Sequence, residues 1–167
     1  MSTTYSTAFQ QAIRITLQNE GGLVNNPADP GGLTKFGISQ RSYPTLDIRN
    51  LTVAQATAIY YRDFWSKYPY DQIIFVPLAC KVFDTCVNLG QARGIKLLQR
   101  CLQVNGSPTI IADGGFGPGT LKAINNTDGP TLIAAYRGAQ AAYYNAVVAA
   151  NPQDQQFLRG WLARAAQ

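Results

Sequence analysis

The stretch QNEGGLVNNPADPGGLTKFGIS, residues 18–39, decides how this chain begins to fold and where its chemistry lies. Apolar side chains recur at every fourth position before it, at Phe9, Ile13 and Leu17. This spacing predicts an amphipathic helix from Ser6 to Asn19, with Glu20 at its end. Gly21 and Gly22 then end the helix, and the density of Asn, Asp, Pro and Gly predicts a turn-rich loop with at most one short hairpin.

Beyond this stretch the sequence predicts helices almost throughout. Residues that favour the first turn of a helix, together with apolar side chains four apart, mark six further helices. We expect them at about 52–65, 77–90, 91–104, 118–125, 130–150 and from 151 onward. The predicted fold class is therefore mainly α, with seven helices and almost no strand.

Composition excludes several classes of enzyme. The 167 residues include no histidine, which rules out Ser-His-Asp and Cys-His triads and the common histidine-containing zinc sites. Fourteen Lys and Arg against nine Asp and Glu give a net charge of +5, which suits an anionic partner. Among the nine acids, Glu20 is the single glutamate. A mechanism that needs a carboxylic acid of naturally higher pKa thus has one obvious candidate.

The cysteines and the amino-terminal residues indicate the cellular compartment in which the chain is made. Cys80, Cys86 and Cys101 are odd in number and form no C-x-x-C pair, so we expect synthesis in a reducing compartment. The first twenty residues lack both an early positive charge and an uninterrupted apolar core. We therefore expect no cleavable secretion signal and no stable membrane insertion.

Glu20, Asp29 and Thr34 form the first candidate site. A helix end beside Leu23 and Phe36 would partly desolvate Glu20, raise its pKa and keep it protonated as a general acid. Asp29, in a polar loop, would stay ionised. Two carboxyl groups in unlike environments meet the needs of glycosidic bond cleavage, since one protonates the leaving oxygen and the other activates water or stabilises the transition state. Thr34 would orient that water.

Structural roles for the same residues are the alternative. Glu20 would then be a solvated residue at a helix end, and Asp29 and Thr34 would cap turns. Calcium binding by Asn25, Asn26 and Asp29 is a weaker interpretation, because the loop lacks alternating oxygen ligands and a terminal glutamate. We expect neither a metal nor an organic cofactor.

Residues 18–39 closely resemble the signature of glycoside hydrolase family 108, whose members are mostly phage lysis enzymes. The shared pattern is Glu-Gly-Gly, an Asn, and Asp-Pro-Gly-Gly-x-Thr-x-x-Gly-Ile, here Glu20–Gly22, Asn25 and Asp29–Ile38. The resemblance implies a lysozyme-like helical fold and N-acetylmuramidase activity on peptidoglycan. Glu20 would be the catalytic acid, Asn25 a substrate ligand, and Asp29 either the second carboxylate or a brace for the loop.

Two further segments extend the resemblance to about residue 125. YYRDFW, residues 60–65, is similar to an aromatic segment of the family, which implies that Tyr60 and Trp65 stack on sugar rings. Residues 82–106 and 112–120 resemble the helical peptidoglycan-binding region that follows the catalytic half in many of these lysins. In that region Asp84, Asn88 and Gln91 would line the glycan groove. Burial in the core, capping and helix–helix hydrogen bonds are the structural alternatives for these five residues.

The resemblance implies one lysozyme-like domain over residues 1–167. Within it we expect a catalytic half at 5–70, a peptidoglycan-binding-like half at 77–125, and C-terminal helices at 128–167 packed on it. In the last helix, Arg159 and Arg164 beside Phe157 and Trp161 would either dock on the core or meet an anionic envelope surface.

The expected function is that of an endolysin, which cleaves the β-1,4 bond between N-acetylmuramic acid and N-acetylglucosamine in peptidoglycan and so lyses the host cell. We expect a monomer, held in the host cytoplasm until a holin-like protein releases it to the wall. A lytic transglycosylase and a catalytically silent peptidoglycan-binding or phage structural protein are the alternatives. A nucleic-acid partner is not expected, since no binding motif or dense basic stripe is present.

Overall fold

A computed structural model describes residues 4–25 and 32–167, without the side chains of Val24 and Asn25. It confirms the predicted mainly α, lysozyme-like fold. The described ranges contain seven α-helices and one three-stranded sheet. They fall into two compact units, Met1–Lys67 and Tyr68–Gln167. None of the helices in these ranges is long and apolar enough to cross a membrane.

The first unit holds two helices and the sheet. Its elements are α1 (Thr7–Glu20), β1 (Leu23–Asn25), β2 (Leu33–Lys35), β3 (Ile38–Ser39) and α2 (Val53–Asp63). Capping fixes the start of both helices. The hydroxyl of Ser6 accepts a hydrogen bond from the amide of Phe9, and Thr52 forms a capping box with Gln55. The α1 helix runs one residue further than predicted, so Glu20 belongs to its last turn.

The sheet has two antiparallel pairings where the sequence predicted at most one short hairpin. β1 pairs with β2, and β2 pairs with β3 in a register that sets Lys35 opposite Ile38. Only Phe36 and Gly37 connect these last two strands. Both have positive φ, 54° and 74°, as the two-residue turns that match the twist of a hairpin require.

Aromatic side chains join α1 to α2. Phe9 is fully buried, and its ring lies 5.1 Å from that of Tyr61 and 5.3 Å from that of Trp65. The α2 helix ends at Asp63, earlier than predicted, and a 3₁₀ helix at Trp65–Lys67 follows. Trp65 lies in that 3₁₀ helix and is only 1% exposed. Its indole is therefore part of the core of the first unit.

The second unit is built from five helices. They are α3 (Val76–Leu89), α4 (Gln91–Val104), α5 (Pro118–Asn126), α6 (Gly129–Ala150) and α7 (Gln155–Ala166). Short 3₁₀ helices at Tyr70–Gln72 and Pro152–Asp154 precede α3 and α7. The long α6 helix contacts α3, α4, α5 and α7. The last helix is thus docked on its neighbours, which was one of the two alternatives for it.

The turn-rich segment before α5 is organised by one buried amide. The Nε2 atom of Gln99, a residue only 1% exposed, donates to Asp113, to the carbonyl of Gly115 and to the hydroxyl of Thr120. Its Oε1 atom accepts from the backbone of Gly114 at 2.8 Å. The backbone amide of Gly115 and the amide of Gln99 lower the pKa of Asp113. The glycine-rich motif therefore has a structural role in forming this turn.

A buried ion pair fastens α7 to α3. The guanidinium of Arg164 donates two hydrogen bonds to the carboxylate of Asp84, at 3.0 and 2.9 Å, and Asp84 is 1% exposed. The buried Lys81 ammonium adds a bond to the backbone carbonyl of Arg164 at 2.7 Å, and burial lowers the pKa of Lys81 to about 8. The bidentate geometry compensates for the desolvation of both charges.

We expect Arg164→Leu to lower the free energy of unfolding by about 3–5 kcal/mol, because it removes the guanidinium that neutralises a buried carboxylate. Urea denaturation followed by circular dichroism measures this loss. The double variant Asp84→Leu with Arg164→Leu is the matched control, and it should regain most of the stability. A double variant no more stable than Arg164→Leu alone would contradict this role for the pair.

Candidate active site

Glu20 is held at the point where α1 ends against the β2–β3 turn. It is half-buried, and Gly21, with φ 74°, follows it as the C-cap of the helix. A Cβ atom placed on Gly37 would lie 2.6 Å from the Oε2 atom of Glu20 and 3.0 Å from its Cδ atom. The carboxyl group thus occupies space that only glycine leaves open.

Tyr60 completes this arrangement from α2. The same added Cβ on Gly37 would lie 2.6 Å from the Tyr60 hydroxyl oxygen, so this oxygen and the Glu20 carboxyl are neighbours across the glycine. The hydroxyl donates a hydrogen bond to the backbone carbonyl of Phe36 at 2.9 Å. Tyr60 therefore holds the two-residue turn against which Glu20 rests.

Further bonds anchor the segments that flank the turn. The Lys35 ammonium donates to the carbonyl of Arg49 at 3.0 Å and lies 5.5 Å from the centre of the Phe36 ring. The Tyr43 hydroxyl donates to Asp63 at 2.8 Å. Burial and the Asp63 bond raise the pKa of Tyr43 to about 12, whereas hydrogen bonding by Arg62 lowers that of Asp63 to about 2. Tyr43 and Asp63 therefore keep their protonation states across the physiological pH range and support the turn as a fixed hydrogen-bonded pair.

Thr34 lies on the central strand of the sheet. It is half-buried, and its backbone is paired with Val24 on one side and Ser39 on the other. Its hydroxyl is 3.4 Å from the carbonyl of Gly32, a long and weak contact that leaves it able to rotate toward a water. The role of Thr34 in orienting water stays a prediction.

Asp29 lies outside the described residues, and so does the side chain of Asn25. The backbone of Asn25 closes β1 opposite Leu33. The roles assigned to these two side chains, and the weaker calcium interpretation, likewise stay predictions. Within the described ranges, no three His, Cys, Asp or Glu side chains cluster closely enough to hold a metal ion.

The prediction that Tyr60 and Trp65 stack on sugars is corrected by their burial. They are 2% and 1% exposed, so neither ring has a free face for a pyranose. Tyr60 instead packs 5.4 Å from Phe64 and bonds the turn through its hydroxyl, and Trp65 packs on Phe9. Both therefore follow the core alternative.

Asp84, Asn88 and Gln91 all lie in the second unit. The prediction that Asp84 lines a groove is corrected by its burial in the pair with Arg164. Asn88 accepts a hydrogen bond from the Tyr144 hydroxyl at 2.6 Å, and Gln91 accepts one from the Tyr70 hydroxyl at 2.7 Å. These bonds between elements agree with the structural alternative. Asn88 and Gln91 are both half-buried, and their part in binding glycan stays a prediction.

The sequence reasoning included Gly37 in the family pattern but assigned it no role. Its signal was present, since a Phe-Gly pair lies between two short segments able to pair as strands. The reason for glycine there became visible only in three dimensions, where Glu20 and Tyr60 converge on it.

Comparison with known proteins agrees with this site. Residues 13–90, which carry Glu20, Thr34, Gly37 and Tyr60, match the family described as glycosyl hydrolase 108. Residues 93–166 match a predicted peptidoglycan domain. Among solved structures, that of Brucella abortus SagA is 26% identical, with a TM-score of 0.74 over 95% of this chain and 89% of that one. No curated protein matches the chain in sequence.

Proposed function

We propose that this chain, whose residues 13–90 match the glycosyl hydrolase 108 family, hydrolyses the β-1,4 bond between N-acetylmuramic acid and N-acetylglucosamine in peptidoglycan. The family supports a glycoside hydrolase, and the second match supports peptidoglycan as its substrate. Cleavage of this one bond, as by a lysozyme, is the more specific part of the proposal.

The observation that carries the proposal is the placement of Glu20. The single glutamate of the chain stands at the end of a well-capped helix, half-buried, with its carboxyl group against the exposed Gly37. The helix end and the turn hold the Glu20 carboxyl group in place. The neighbouring Gly37 is exposed and has no side chain, so it leaves the carboxyl group open to solvent. Glu20 would protonate the leaving oxygen, and positioned acids of this kind contribute about 10²–10⁴-fold to rate.

Asp29 is proposed as the base that activates water, with Thr34 orienting that water. If so, the carboxyl groups of Glu20 and Asp29 lie roughly 6.5–9.5 Å apart and the reaction inverts the anomeric carbon. Proton NMR of the first product formed from a glycan oligomer reads this directly, because inversion yields the α-anomer. An initial β-anomer would instead assign Asp29 to the loop structure or to a nucleophilic role.

The charge of the chain supports a wall substrate. Its net charge of +5 complements the carboxylates of peptide stems in peptidoglycan and favours encounter with the wall. A lysis role, with release from the host cytoplasm by a holin-like protein, is part of the proposal and is supported by the resemblance to phage lysis enzymes.

Product analysis tests the proposal against its alternatives. Purified peptidoglycan is digested, reduced with borohydride and separated by chromatography with mass detection. New muramitol ends are the expected result. New glucosaminitol ends would assign the other glycosidic bond, and 1,6-anhydromuramic ends would assign a lytic transglycosylase. A wall that is bound without release of any fragment would identify a binding protein.

A further inference from the structure

A pocket in the second unit is not used by the proposed chemistry. It has a volume of about 180 Å³ and lies where the end of α3 meets α6 and α7. Its lining consists of Asn88, Leu89, Tyr143, Tyr144, Val147 and Trp161. Three of these six side chains are aromatic, and the pocket is open to solvent on one side.

The aromatic rings form a continuous platform at this pocket. The indole of Trp161 lies 5.3 Å from the Tyr144 ring, tilted by 31°, and is only half-buried. Phe157 stacks on Trp161 at 5.8 Å with an interplanar angle of 27°, and it is 49% exposed. Because Trp161 is only half-buried and Phe157 is exposed, part of this aromatic surface is accessible to a flat, partly apolar ligand.

A directed chain of hydrogen bonds ends at the pocket. The Thr85 hydroxyl donates to the Oε1 atom of Gln140, whose Nε2 atom donates to the Tyr144 hydroxyl at 2.9 Å. Tyr144 therefore donates its proton to the Oδ1 atom of Asn88 at 2.6 Å. This order fixes the Asn88 amide and leaves its Nδ2 donors without an acceptor among the described residues.

A positively charged side chain lies beside the same pocket. The guanidinium of Arg93 lies 5.5 Å from the centre of the Tyr143 ring, and its residue is exposed. The pocket thus combines apolar ring faces, an oriented amide donor and one positive charge. An N-acetylated sugar matches all three, since its ring carries C–H faces, its acetamido group offers a carbonyl acceptor, and peptide-bearing sugars carry carboxylates.

We propose that this pocket is a glycan-binding site of the second unit, which takes one N-acetylated sugar of the peptidoglycan strand. The sugar ring would stack on Trp161, its acetamido carbonyl would accept from Asn88, and Arg93 would meet a carboxylate of the attached peptide. The proposal rests on the proposed function for its substrate class. It is also supported by the match of residues 93–166 to a predicted peptidoglycan domain, which spans Arg93, Tyr143 and Trp161.

The test uses the full chain carrying Glu20→Gln, labelled with ¹⁵N, and uncharged N-acetylglucosamine tetramer as the probe. The chain has two tryptophans, so its two indole N–H signals report separately. Trp161 and the Asn88 side-chain amide should shift in a saturable manner, whereas the buried Trp65 serves as reference. Absence of any shift at Trp161 and Asn88 up to the solubility limit of the probe would overturn the proposal.

Binding of the same chain to purified peptidoglycan gives a second readout. Trp161→Ala should weaken binding about tenfold, as is typical when an aromatic anchor is lost. Asn88→Asp keeps the acceptor for Tyr144 but removes the donor, and it should weaken binding several-fold. Val104→Ala, which shortens an 81% exposed apolar side chain outside the pocket, is the matched control. Equal binding by all three variants would contradict the site.

The two proposals fail separately. If the unmutated chain cleaves peptidoglycan while Trp161 does not respond to the probe, the pocket is refuted and the proposed function stands. If Trp161 and Asn88 respond while the unmutated chain releases no fragment, the pocket stands and the proposed function is refuted.

Discussion

Replacement of Glu20 by Gln should leave the fold intact and lower the release of fragments from peptidoglycan by about 10²–10⁴-fold. Glutamine has nearly the same shape, so it fits beside Gly37, but it cannot give a proton to the leaving oxygen. The chain has no second glutamate to take over this step. The rate of appearance of reducing ends, compared at equal protein concentration, measures the loss.

The matched control for this variant is Asp154→Asn, which removes one negative charge in the second unit and should keep the full rate. Circular dichroism and thermal unfolding should show that Glu20→Gln remains folded. Near-native turnover by folded Glu20→Gln would show that another group supplies the proton and would remove the assignment.

Gly37→Ala should lower turnover by about 100-fold, because a misplacement of about 1 Å in a catalytic group is enough for a loss of that size. The added methyl would lie 2.6 Å from both the Glu20 carboxyl and the Tyr60 hydroxyl, so one or both must move. Alanine at φ 74° also strains the backbone by roughly 1–2 kcal/mol. Steady-state kinetics on a soluble glycan fragment should show the loss mainly in kcat.

Gly90→Ala separates the steric contact with Glu20 from the backbone strain of alanine at positive φ. Gly90 has a similar φ of 84°, but a Cβ added there meets no described atom within 4 Å. Alanine at Gly90 should lower stability, since φ 84° with ψ 145° lies near a region that only glycine adopts readily, and it should leave turnover unchanged. Tyr60→Phe removes the bond to the Phe36 carbonyl and keeps the ring, so its loss should be smaller than that of Gly37→Ala. Equal turnover by the Gly37 and Gly90 variants would mean that the contact with Glu20 is unimportant.

The helices could be predicted because their signals are local. Ser6, Thr52 and Asp128 each cap a helix within three residues of the backbone amide that they bind, and the apolar spacing lies within single helices. The resemblance in residues 18–39 likewise located Glu20, since that segment is continuous in the sequence. Caps, apolar spacing and a continuous motif can all be recognised without knowing which helices and loops pack together in the fold.

Tyr60 and Asp84 show where sequence reasoning stops. An aromatic residue on a helix has the same spacing whether it faces a sugar or the core, and burial of Tyr60 depends on contacts with a turn 24 residues away. The partner of Asp84 is Arg164, 80 residues further along the chain. No local sequence pattern predicts the contact of Tyr60 with the turn or that of Asp84 with Arg164. The need for glycine at position 37 was hidden for the same reason.

Hydrolysis of peptidoglycan in water enriched in heavy oxygen tests the central claim most directly. The unmutated chain and Glu20→Gln are compared by mass spectrometry of the released fragments. The account predicts that the unmutated chain yields muramic acid ends that carry one heavy oxygen, and that Glu20→Gln yields almost none. Fragments that end in anhydro sugars, or the same labelled fragments from both proteins at equal rates, would contradict it.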